Sequence, residues 1–115
     1  MGDISEHFNR KEFECSCGCG FNTVDAELLD TLQDFRIKIN KAIIIKSACR
    51  CKAYNDHIGG GVKSQHLYGR AADIVVWGMP AIEVFDYFDF DNKFGLGSYK
   101  KFTHIDTRSG TAARW

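Results

Sequence analysis

Between residues 23 and 39 apolar side chains recur at steps of three and four: Val24, Leu28, Leu29, Leu32, Phe35 and Ile39. That period predicts a helix opening at Thr23 with one core-facing stripe, and Asp25 and Glu27 fall in its first turn, where the helix dipole favours acids. The pattern then changes. Residues 42–47 and 74–77 are short β-branched or aromatic runs that read as strands, and residues 94–99 and 101–107 read as two more, joined by a short turn and therefore antiparallel. Three further helical segments are weaker: residues 5–13 with Ser5 as cap and Phe8 and Phe13 inward, a turn or two over 51–58, and a helix following Gly78 and Pro80. In the last of these Ile82, Phe85, Tyr87 and Phe88 form an aromatic-rich core face. These elements predict an α+β fold, one small domain over residues 1–115, with a mostly antiparallel sheet and helices packed on one side.

Composition narrows the function. Hydrophobic residues make up 44% of the chain, enough for a core, and fifteen Lys and Arg balance fifteen Asp and Glu. That balance lacks the basic footprint of a nucleic-acid binder, so no nucleic-acid partner is expected. The start of the chain has no basic segment followed by an apolar one, and no run approaches the ~18 apolar residues of a membrane span. A monomer without signal peptide or membrane contact is expected. Five cysteines remain. Cys15, Cys17 and Cys19 alternate and would share a face of an extended segment; Cys49 and Cys51 repeat the spacing. Reduced thiols and a cross-link stand ahead of a four-cysteine zinc site, because the spacing is not the Cys-x-x-Cys of common zinc knuckles.

The chemistry concentrates in residues 64–73, Ser-Gln-His-Leu-Tyr-Gly-Arg-Ala-Ala-Asp. His66 and Asp73 carry good zinc donors, Gly69 permits a tight backbone between them, and Asp73 leads into the strand at 74–77. A third ligand is available downstream, where strand alternation places Phe102, His104 and Asp106 on one face. Two histidines and one carboxylate leave a fourth zinc position for water, which is how catalytic rather than structural zinc is held.

Ser64-x-His66-x-x-Gly69-x-Ala71-x-Asp73, followed by His104-Ile105-Asp106-Thr107, resembles the zinc D-alanyl-D-alanine peptidases, which include wall carboxypeptidases, phage endolysin peptidases and murein endopeptidases. Ser47-Ala48-Cys49-Arg50 is similar to the Ser-Gly-Tyr-Arg-like segment of that family, Arg114-Trp115 to an Arg-Trp found near the last ligand, and Cys-x-Cys-Gly-Cys-Gly to the N-terminus of small phage-type members. The resemblance implies the Hedgehog/D-Ala-D-Ala peptidase-like fold and one catalytic zinc on His66, Asp73 and His104. It also implies Arg50 at the substrate carbonyl or carboxylate; Ser64 is a candidate to orient a ligand or to accept a substrate hydrogen bond. The implied substrate is a peptidoglycan stem or cross-link peptide, cut next to a D-amino acid. With no signal peptide, the implied setting is a phage or prophage lysis enzyme, held in the host cytoplasm until released to the wall, or virion-associated. One departure stands out. Many members place an acid three residues before the last histidine ligand, where this chain has Lys101. Asp106 is then the candidate general base or the group that orients His104; in a second register Asp106 is the ligand and His104 its catalytic partner. Hedgehog signalling domains similarly keep the ligands as binding modules, so a zinc-stabilised interaction or virion module is the alternative.

Overall fold

The computed structural model describes residues 2–61, 63–89 and 93–115. Helix α1 runs Ala26–Ile39, and Asp25 rather than Thr23 occupies its N-cap position. Leu28, Leu32 and Phe35 are fully buried on its inner stripe, each removing enough apolar surface from water to contribute ~1.5–3 kcal/mol. Asn40, with φ of 50°, ends the helix in the left-handed conformation that asparagine tolerates. Helix α2, Lys52–His57, is short, and helix α3, Ala81–Asp89, follows Pro80. Val84 and Phe88 face the core from α3, Phe85 and Tyr87 are partly buried, and Ile82, expected inside, is instead exposed. Position 82 lies one residue off the stripe set by 84 and 88. Phe88 meets Phe35 edge to face at 4.7 Å, which joins α3 to α1.

The expected helix over 5–13 is reduced to a single 3-10 turn, Arg10–Phe13, with a reciprocal Asn9–Glu12 cap. Ser5 does not cap it; its hydroxyl donates to Gln33 Oε1 at 2.8 Å. Phe8 and Phe13 are buried as expected and pack edge to face.

Five strands form one sheet in the order β1 (Ile43–Ser47), β2 (Ala71–Val76), β4 (Thr103–Asp106), β3 (Gly95–Ser98) and β5 (Ala113–Arg114). Every pairing is antiparallel except β3 with β5, which is parallel and was not foreseen. Alternation then sorts the side chains. Ala72, Ile74, Val76, Leu96 and Ile105 belong to the core shared with the helices, so Asp73, His104 and Asp106, at the intervening positions, project from the other face. The cysteines depart from expectation too. Residues 15–19 are not extended: Gly18, with φ of 81°, folds the chain back on itself. Cys49 is a buried thiol against the carbonyls of Phe13 and Phe21, at 2.9 and 3.0 Å, and burial pushes its pKa up to about 11. Among the described residues no helix is long and apolar enough to cross a membrane.

Candidate active site

His66 sits in a 3-10 turn, Gln65–Tyr68, whose N-cap is Ser64; the Ser64 hydroxyl accepts the His66 N–H at 3.2 Å. Gly69 closes the turn with φ of 68°, and a Cβ there would meet the Thr23 carbonyl at 2.6 Å. A larger residue would be strained twice over. This turn points the buried His66 ring at the start of β2, where Nε2 lies 3.3 Å from Asp73 Oδ1. Cross-strand register supplies the other histidine. Asp73 of β2 stands opposite His104 of β4, and His104 Nδ1 lies 3.0 Å from the same Asp73 oxygen. His66, Asp73 and His104 thus present donor atoms all within 4.8 Å of one another, and the three could hold a metal ion.

The hydrogen bonds around these rings test that fit. His66 Nδ1 is 2.5 Å from the Ala48 carbonyl, which can only accept, so Nδ1 carries a hydrogen. Nε2 and the Asp73 oxygen 3.3 Å away then need a proton or a metal cation between them. His104 is similar. Its Nε2 is 2.7 Å from Asp106 Oδ2 and its Nδ1 faces Asp73, so each ring nitrogen meets a carboxylate. Burial disfavours charge on His104, but the hydrogen bonds to Asp106 and Asp73 outweigh it and raise its pKa. Burial likewise opposes ionisation of Asp73, yet His104 and His66 bring its pKa down to about 2. A divalent ion would take the place of the protons that join these groups, and the donor set suits zinc.

Asp106 is the most enclosed member, with no exposed surface. Arg108 grips it in a fork: Nε to Oδ1 and Nη2 to Oδ2, both at 2.7 Å. Burial would raise its pKa, but Arg108 and His104 hold it well below the usual carboxylate range. Arg50 reaches the site from beyond β1, with Nη2 3.4 Å from Asp73 Oδ2, Nη1 3.3 Å from Asn55 Oδ1 and Nε 3.3 Å from Ser47 Oγ. A β-bulge between Ile45 and Ser47 shifts the register, so that Ser47 pairs with Asp73 at this end of the sheet.

Arg50, Ser64, His66, Asp73 and His104 all open onto one cleft of about 370 Å³. Asp106 is not on its surface; it lies behind His104. Sequence reading missed Tyr99 and Arg108, which also line this cleft. Trp115 completes the wall: its Nε1–H donates to the Tyr99 hydroxyl at 2.8 Å and its ring lies 4.8 Å from His104. Gly95 and Gly97 were missed as well. They pair with Asp106 and His104, and a Cβ on Gly95 would strike the Asp106 carboxylate while one on Gly97 would come within 2.7 Å of Trp115 Nε1. The Gly-x-Gly spacing in a strand was the available signal, since glycine in a strand marks close approach by another group.

A family model described as Peptidase M15 matches residues 6–106. No curated protein sequence matches the chain.

Proposed function

Because the chain belongs to the M15 peptidase family, we propose that it is a zinc peptidase acting on peptidoglycan peptides, with the ion held by His66, Asp73 and His104. The observation that carries this reading is the convergence of His66 Nε2 and His104 Nδ1 on Asp73 Oδ1 within an open cleft. Zinc bound there would supply a Lewis acid that activates water and polarises the scissile carbonyl. The chain's own residues do the rest. His66 is fixed in one tautomer by the Ala48 carbonyl, and Asp106 orients His104 through its Nε2–H. Because both Asp106 oxygens are engaged and closed from solvent, orientation rather than proton abstraction is the role we assign it.

Arg50 and Tyr99 face the substrate. The Arg50 guanidinium, held by Ser47, Asn55 and Asp73, is a preorganised fork for a carbonyl oxygen or a terminal carboxylate. Tyr99 accepts from Trp115 and so keeps its O–H free to donate to substrate. Ser64 lines the cleft beside His66 and is available for a further substrate hydrogen bond. Arg50, Lys63 and Arg108 border the cleft with Asp73 as the only acid among the described residues, an electrostatic match for the carboxylates of peptidoglycan stem peptides. The substrate bond is assigned as one next to a D-amino acid and the setting as phage-type lysis, on the resemblance of the ligand motif and of the cysteine-rich N-terminal segment.

The test is incubation of the purified chain with isolated peptidoglycan, followed by mass spectrometry of the released fragments. Stem-peptide cleavage that a chelator abolishes and zinc restores is the expected result. A second reading, a zinc-stabilised binding module, draws on the cleft's lack, among the described residues, of any acid other than Asp73 to serve as base. Stoichiometric zinc with no cleavage of any peptidoglycan type would favour that module.

A further inference from the structure

A second set of metal-type donors lies apart from the histidines. The Sγ atoms of Cys15, Cys17, Cys19 and Cys51 all fall within 4.8 Å of one another. Cys15–Cys17 is 3.5 Å, Cys17–Cys51 3.7 Å and Cys15–Cys51 3.9 Å. These distances separate the readings that the spacing alone leaves open. All five cysteines are free, and pairwise bonding does not account for three sulfurs that each touch the other two. Four ligands at the ~2.3 Å zinc–sulfur distance of a tetrahedron stand about 3.8 Å apart, which is the spacing of this triangle.

The backbone is built to bring them together. In an extended strand Cys15 and Cys19 would be separated by ~13 Å. Here the Gly18 N–H donates to the Cys15 carbonyl at 3.2 Å and the Cys15 N–H to the Phe21 carbonyl at 2.7 Å, closing a loop around the left-handed Gly18. Cys51 joins them as the residue preceding α2. Two backbone donors already point at sulfur: the Cys51 N–H at Cys15 Sγ and the Tyr54 N–H at Cys51 Sγ, both at 3.4 Å. Such donors stabilise thiolate charge. Cys49 is excluded from the set, since its thiol is spent on the carbonyls of Phe13 and Phe21.

We propose that Cys15, Cys17, Cys19 and Cys51 form a second zinc site that ties the N-terminal loop to the segment carrying Arg50. Four thiolates fill a tetrahedron and leave no position for water, so this site is structural. Their softness selects zinc over magnesium or calcium. Three ligands come from one short loop and the fourth directly follows Arg50. The ion therefore pins the chain one residue beyond the group that faces the substrate cleft.

The full chain, purified under reducing conditions without chelator, is expected to carry about two zinc ions, one for each donor set. Cys17→Ser/Cys19→Ser alters two exposed positions and should lower the content to about one. His66→Ala should also retain about one, and after exchange with cobalt should keep the intense near-ultraviolet band of thiolate-to-cobalt charge transfer. The serine variant should lose that band. Undiminished zinc in the serine variant would overturn the proposal, as would absence of the thiolate–cobalt band from His66→Ala. Should the serine variant fail to fold, the band in His66→Ala decides alone. The readout is spectroscopic and elemental, so an inactive protein would leave this result standing.

Discussion

Asp106 accepts from the His104 ring on one side and from the Arg108 fork on the other, and the geometry gives it no path to a substrate water. If it orients His104, Asp106→Asn weakens zinc binding by ~10–100-fold, the usual cost of losing a group that positions a ligand. Activity should then return when zinc is supplied in excess. Loss of turnover that excess zinc does not repair would instead assign Asp106 a proton-transfer role. Arg50 makes the complementary case. Arg50→Ala should keep its zinc and fold, because its three partners are a hydroxyl, an amide and Asp73 Oδ2, whereas the two histidines converge on Oδ1. Peptide cleavage should fall by ~100-fold or more, as when one oxyanion donor is removed. Near-normal turnover with an unchanged KM would reduce Arg50 to a support for Asp73.

At the scale of the element, β3 and β4 work as a pair in which one strand supplies chemistry and the other supplies room. His104 and Asp106 on β4 stand over Gly97 and Gly95 of β3. The absent Cβ atoms are what let the Asp106–Arg108 pair and Trp115 lie down on the sheet. Gly95→Ala drives a methyl into a carboxylate held on both oxygens, and overpacking of this kind costs ~1–3 kcal/mol. A lower melting temperature together with weaker zinc binding is expected. Unchanged values for both would show that the carboxylate has space to move. Strand β5 contributes differently. The Trp115 N–H donates to the Leu96 carbonyl and the Ser98 N–H to the Trp115 carbonyl, which seats the indole beside His104. The Arg114 fork meanwhile reaches back to Asp89 at the end of α3.

For the whole molecule, the buried charges make stability depend on pH in a direction that metal reverses. In the chelated protein His104 has a raised pKa, so its contribution is complete below its unfolded value of ~6.5 and fades as pH rises through the folded one. Asp73 and Asp106 are depressed, so theirs is complete above ~4 and fades as pH falls through their folded values. The chelated chain should therefore be most stable between about pH 4 and 6.5. Zinc competes with the proton on His104, so loading should move the optimum above ~6.5. Thermal unfolding of chelated and loaded protein across pH checks this, and parallel curves would dissociate the histidine cluster from metal binding. Sequence alone sufficed for the existence of α1 and of β1 to β4 and for naming His66, Asp73 and His104 as candidate donors, because periodicity and ligand chemistry are local properties; it began β2 at residue 74, where the strand starts at Ala71. Its reach ended where remote segments meet. The closure of Asp106 by Arg108, the glycines beneath the site, the seating of Trp115 and the gathering of Cys51 with Cys15 and Cys17 were all decided by tertiary structure. Each depends on strand register or on a backbone reversal at one glycine, and a register shift of one residue exchanges the faces of a strand without changing its pattern.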